Sequence, residues 1–138
     1  MLDEERVSYA SRLHRDPRET YRSVDVASRT GGASPHQLIA ILYEDLLREL
    51  RLGALAIDEG DHAAKNARLT KAIALLFALE SGLDFDKGAS VAEALSRFYR
   101  GCRDAVMRAS IEANAALVRD VVANVGEIAD SWKAIGRS

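Results

Sequence analysis

From Leu38 onward apolar residues fall into two interleaved rows. One row, Leu38, Ile41, Leu42, Leu46 and Leu50, continues through Gly53 and Ile57 at the three- and four-residue spacing of a single helix face. The other, Ile39, Tyr43, Leu47 and Ala54, lies roughly a third of a turn away. The helix has a clear start, because Ser34 can cap it, Pro35 suits its first position and Gln37 completes a capping box with Ser34. It stops at "DEGD", residues 58–61, where Gly60 suits a helix C-terminus and Asp61 can cap the next helix.

A second helix is expected from His62 to Ser81, with Leu69, Ile73, Leu76 and Leu83 on one face and Leu75, Phe77 and Leu79 beside it. Like the first, it is apolar around more than half its circumference. "SGLDFDKGAS", residues 81–90, reads as a turn rich in Gly and Asp. Ser90 and Glu93 then form a second capping box, opening a helix that aligns Val91, Leu95, Phe98, Cys102, Val106 and Ala109. Near the cap residue Asn114 this helix breaks or bends. The last segment is the most regular: Val118, Val121, Val125, Ile128, Trp132 and Ile135 alternate spacings of three and four, a bundle seam.

Four long helices with short connections predict an all-α fold, an antiparallel up-and-down four-helix bundle over residues 34–138. Residues 1–33 are expected to form a partly ordered N-terminal arm, flexible or capping, with room for a short extra helix. The arm contains Pro17, ends in Gly31-Gly32 and offers Tyr21, Val24 and Val26 as apolar handles. Its six basic and six acidic residues cancel, unlike a nucleic-acid-binding tail.

Composition narrows the function. A chain of 138 residues can bury a core without staples, and 48% hydrophobic with only 6% aromatic content suits helices. A formal net charge of -2 gives no global positive field, so no nucleic-acid partner is expected. Cys102 is the single cysteine, which excludes an internal disulfide and fits a reducing, cytoplasmic setting. Residues 1–13 open with Asp3, Glu4 and Glu5, unlike a secretory signal. No window approaches the roughly 20 apolar residues of a membrane span, so no membrane insertion is expected.

Catalytic and metal chemistry finds no matching pattern. A di-iron bundle needs Glu-x-x-His on two helices, whereas here only Glu59 and His62 have that spacing, across Gly60. His14, His36 and His62 show no zinc spacing and none sits mid-helix as a phosphotransfer histidine would. Asp84, Asp86 and Gly88 resemble a calcium loop only faintly, since Leu95 stands where a bidentate Glu is needed. Cys102 falls on an apolar stripe and reads as a buried thiol rather than a nucleophile. Arg97, Arg100, Arg103 and Arg108 give the third helix a basic edge, read first as a solvated face and second as a site for an acidic partner. Trp132 reads as core, Tyr43 and Tyr99 as residues at its boundary. No enzyme, metal or cofactor is expected.

What remains is excess apolar surface on the first two helices, which marks a partner groove or a self-association face that would make a homodimer. The stretch "ASPHQLIAILYEDLL" resembles the opening helix of the flagellar secretion chaperone family FliS. The resemblance continues through "AIDEGD", "LTKAIALLFALESGLD", "LSRFYRGCRDAVMRA" and "EIADSWKA", over residues 21–135. It implies a non-enzymatic cytoplasmic chaperone that binds the disordered C-terminal segment of flagellin as helices in apolar grooves and prevents premature polymerisation. An export gate component is a further candidate partner. Ile39, Tyr43, Leu47, Leu75, Tyr99 and Val106 are the expected groove lining, and Tyr21 stands where the family's arm tyrosine lies over a client site. The chain departs from the family at "ASIEAN", residues 109–114, where relatives often read A-N-x-x-N-D.

Overall fold

A computed structural model describes residues 32–136, so Tyr21 and nearly all of the expected arm lie outside the described residues. Four helices follow one another: α1 (Pro35–Glu59), α2 (His62–Ser81), α3 (Ala89–Glu112) and α4 (Ala115–Gly136). The all-α four-helix architecture expected from the periodicity is the one that forms.

Local chemistry sets most of the boundaries. Ser34 and Gln37 close the capping box reciprocally: the Ser34 N–H donates to Gln37 Oε1 at 2.8 Å and the Gln37 N–H to Ser34 Oγ at 3.2 Å. Gly60, at φ 70°, ends α1 in a Schellman arrangement, with the Asp61 N–H on the Ala56 carbonyl at 2.9 Å and the Gly60 N–H on that of Ile57 at 3.1 Å. Asp61 then caps α2 by accepting from the Ala64 N–H at 3.0 Å.

The expected capping box at Ser90 and Glu93 does not form, because both residues lie inside α3. Asp84 Oδ1 accepts from the N–H groups of Asp86 (3.0 Å) and Lys87 (3.2 Å), an Asx-type turn that delivers the chain into the helix earlier, with Gly88 as its cap. At "ASIEAN" the break is clean. Ala113 adopts a left-handed conformation at φ 53°, the Asn114 N–H reaches the Ala109 carbonyl at 2.9 Å, and Asn114 Oδ1 caps α4 through the Leu117 N–H at 3.1 Å.

Polar contacts fix the up-and-down order of the helices. Glu49 of α1 pairs with Arg68 of α2, and Glu80 of α2 with Ser96 and Arg103 of α3. Glu44 near the start of α1 pairs with Lys133 near the end of α4, and Asp58 near the end of α1 with Arg119 near the start of α4. The core between them centres on Leu46, Leu50, Leu69, Leu76, Val106, Val118 and Val125. Burying each such side chain contributes on the order of 2 kcal/mol. α1 and α2 approach closely at Gly53, where a Cβ would run into the Leu69 side chain.

The buried face of α1 straddles the two rows read from the sequence. It takes Leu46 and Leu50 from one, Tyr43 and Ala54 from the other, and the charged Glu49 between them. Packing loosens at one end. Val118, Val121 and Val125 of α4 are buried, Ile128 and Trp132 are half-buried, and Ile135 is exposed. At the opposite terminus of its own helix, and the same end of the bundle, Val91 of α3 is 64% exposed.

Candidate functional site

That looser end holds an open cleft of about 330 Å³. Its walls come from every helix: Ile39 and Tyr43 of α1, Leu79 of α2, Val91, Leu95 and Tyr99 of α3, and Trp132 of α4. Leu83 and the Asp84 to Gly88 turn close the side between α2 and α3. Helices that end here have no further turn to cover their last apolar residues, so the stripes that make the core run out into a concave surface. The lining side chains are apolar apart from the exposed Asp84 and Lys87 and the polar tips of Tyr43, Tyr99 and Trp132, a composition suited to apolar anchors held by few polar contacts.

Tyr43 and Tyr99, each 2% exposed, meet across the core with their hydroxyl oxygens 2.6 Å apart. Both are core residues rather than boundary residues, and the pairing gives each buried hydroxyl oxygen one hydrogen-bond partner. Burial raises the Tyr99 pKa far above the ordinary tyrosine value, and its bond to Tyr43 adds to the rise. Burial raises that of Tyr43 too, partly offset by its hydrogen bond with Tyr99. The pair is therefore neutral and able to donate throughout the usable pH range.

Of the expected partner-binding residues, the structure brings Ile39, Tyr43 and Tyr99 together in this cleft. Leu47 is half-buried against the core, while Leu75 at 7% and Val106 at 0% exposure are taken up by it; none of the three lines the cleft. Tyr21 lies outside the described residues. Leu83, Val91, Leu95 and Trp132 line the cleft although the sequence pattern places them on core stripes. The signal that finds them is position: each stands in the first or last turns of a stripe, or in the adjoining turn, where the bundle stops.

Elsewhere polar groups are mostly used in holding helices together. Glu80 accepts from the Ser96 hydroxyl at 2.6 Å and from Arg103 at 2.5 Å, and the Arg103 guanidinium lies 3.9 Å from the Phe77 ring centre. Arg103 is thus consumed by packing, whereas Arg97, Arg100 and Arg108 of the basic edge are exposed. Cys102 is buried and burial pushes its thiol up to about 11, the opposite of an activated nucleophile. Among the described residues no His, Cys, Asp and Glu cluster is placed to hold a metal ion, and no helix is long and apolar enough to cross a membrane.

Comparison with known proteins agrees with the earlier resemblance. The family described as "Flagellar protein FliS" matches residues 17–138. The flagellar secretion chaperone FliS of Salmonella typhimurium is 34% identical over 118 residues, which span 85% of this chain and 87% of that protein. The chaperone of the same name from Vibrio cholerae is 27% identical over 117 residues, 85% of this chain and 86% of its own length. That of Bacillus subtilis is 29% identical over 101 residues, covering 73% of this chain and 74% of its own.

Proposed function

The chain belongs to the FliS family, and from that premise we propose that it is a flagellar export chaperone whose client is the C-terminal segment of flagellin. The client segment, disordered when free, folds into amphipathic helices as it lies on the bundle and is thereby kept from polymerising before export. It is bound in the cytoplasm and handed on to a component of the export gate. The observation that carries this reading is the open apolar cleft, into which Ile39, Val91, Leu95 and Trp132 present carbon surface that the bundle itself leaves uncovered. Further apolar side chains stand exposed beyond it, among them Phe77, Met107 and Ile111, the last at 85%. A wrapped client covers more than a single pocket, and these residues extend the surface available to it.

The test mixes the full chain with the purified C-terminal segment of the flagellin from the same genome and follows the complex by size-exclusion chromatography with light scattering. A one-to-one complex is expected, weakened at least about tenfold by Val91→Asp or Ile39→Asp. Absence of any complex rejects the function, and a complex indifferent to both substitutions rejects the cleft as its anchor. The same light-scattering record separates this reading from a self-associating module, which would run as a dimer and resist the client.

A further inference from the structure

The Tyr43–Tyr99 pair has hydrogen-bonding capacity that the described residues do not use. Two hydroxyls carry two protons, and the 2.6 Å contact between the oxygens uses one of them. Neither hydroxyl has another partner among the described residues. One O–H donor therefore remains, on side chains only 2% exposed. A buried donor without an acceptor is costly, and a group that supplies the acceptor recovers that cost. Both tyrosines line the cleft, so the cleft is the route by which such a group arrives.

We propose that Tyr43 and Tyr99 together are the specificity-determining donor of the cleft, selecting a client segment that carries a neutral hydrogen-bond acceptor among its apolar anchors. This rests on the client-binding reading above. The acceptor is the side-chain carbonyl of Asn or Gln or the hydroxyl of Ser or Thr. A carboxylate fits poorly, because among the described residues the only cation lining the cleft is Lys87 in the exposed turn, and an ionised group drawn down among Leu79, Leu95 and the tyrosine rings loses its hydration without a counter-charge from them. A wholly aliphatic anchor fits poorly as well, since it seals the cleft over an unused donor. The pair thus separates one amphipathic helix from another on a feature that hydrophobic burial alone cannot read.

Tyr43→Phe, Tyr99→Phe and the double variant test the assignment, using the flagellin C-terminal segment as probe and calorimetric titration as readout. Either single variant keeps one hydroxyl, which can donate to the client, so its affinity stays within about twofold of the parent. The double variant lacks both hydroxyls, and its affinity falls about tenfold, the worth of one net hydrogen bond. Its thermal stability stays near that of the parent, because both partners of the buried bond are removed together. A merely structural role would leave the affinity of a folded double variant unchanged. Should the double variant fail to fold, client variants replace it: changing each Asn, Gln, Ser and Thr of the segment to Leu must reveal a position whose loss weakens binding to the parent about tenfold. If the parent complex forms and Val91→Asp weakens it, yet the double variant binds as tightly as the parent or no client position responds, the donor assignment is overturned and the chaperone reading stands. If no parent complex forms, the chaperone reading itself has failed.

Discussion

Glu49 of α1, with its side chain 1% exposed, sits 3.3 Å from Nη1 of Arg68 on α2, and its other oxygen lies 3.7 Å from Lys71 and 3.8 Å from Arg48. The carboxylate has left water while its three cations remain about half exposed. Any one of these pairs contributes little, but the buried charge depends on the set. Arg68→Ala should therefore cost under about 1 kcal/mol, whereas Arg68→Ala with Lys71→Ala should cost about 3 kcal/mol. Glu49→Leu should be close to neutral, since an apolar side chain of similar size removes the desolvation along with the attraction. Urea unfolding of the three variants checks this; a large loss in Glu49→Leu would contradict it.

Gly53 of α1 lies against Leu69 of α2, with the Leu69 Cγ 3.0 Å from where a Gly53 Cβ would stand and a methyl carbon nearer still. In an exposed helix Gly→Ala is stabilising by roughly 0.5–1 kcal/mol. Here the sign should reverse, because Leu69 is 1% exposed and has nowhere to retreat. Gly53→Ala is expected to destabilise by about 1 kcal/mol and Gly53→Val by more. Thermal melts should show that Leu69→Ala, costly alone, costs less in the Gly53→Ala background.

Ala113 stands at φ 53° and ψ 47° at the end of α3, where an L side chain crowds the following carbonyl. Ala113→Gly removes that crowding and should stabilise the fold by about 1 kcal/mol, read as a rise in melting temperature. No change, or a fall, would mean that the left-handed turn is relaxed with alanine in place.

The contrast between these sites shows what the sequence made legible. The Ser34–Gln37 box, the Asp61 and Asn114 caps and the Val118, Val121 and Val125 seam were readable because each depends on residues a few positions apart. The rotation of α1 was not. Apolar residues cover so much of that helix that periodicity fixes a wide face without its centre, and the charged Glu49 stands in the middle of the buried side. The cleft was half legible for a related reason. Ile39, Tyr43 and Tyr99 stood out as surplus beside the main stripes, but Val91, Leu95 and Trp132 looked like ordinary core, and only the end of the bundle leaves them uncovered.

Glu80 supplies a pH test. Its hydrogen bond from Ser96, and then that from Arg103, hold its carboxyl below the ordinary value of about 4.5. The folded carboxyl is the stronger acid, so its stabilising effect is fully present above about pH 4.5 and is lost as pH falls through the lowered folded value. Glu80→Gln should flatten the acid limb of the stability profile below about pH 4.5 and leave its slope at neutral pH unchanged. An acid limb that keeps its full steepness in the variant would place the responsible carboxyl elsewhere.

The most direct measurement of the central claim is calorimetric titration of the full chain with the flagellin C-terminal segment at several temperatures, in the parent and in Val91→Asp. Val91 is 64% exposed, so the substitution leaves the core intact while placing a charge at the cleft wall. A one-to-one complex with a negative heat-capacity change, weakened about tenfold or more by the substitution, is the predicted result. Binding of equal strength in the two proteins, or none in the parent, would contradict it.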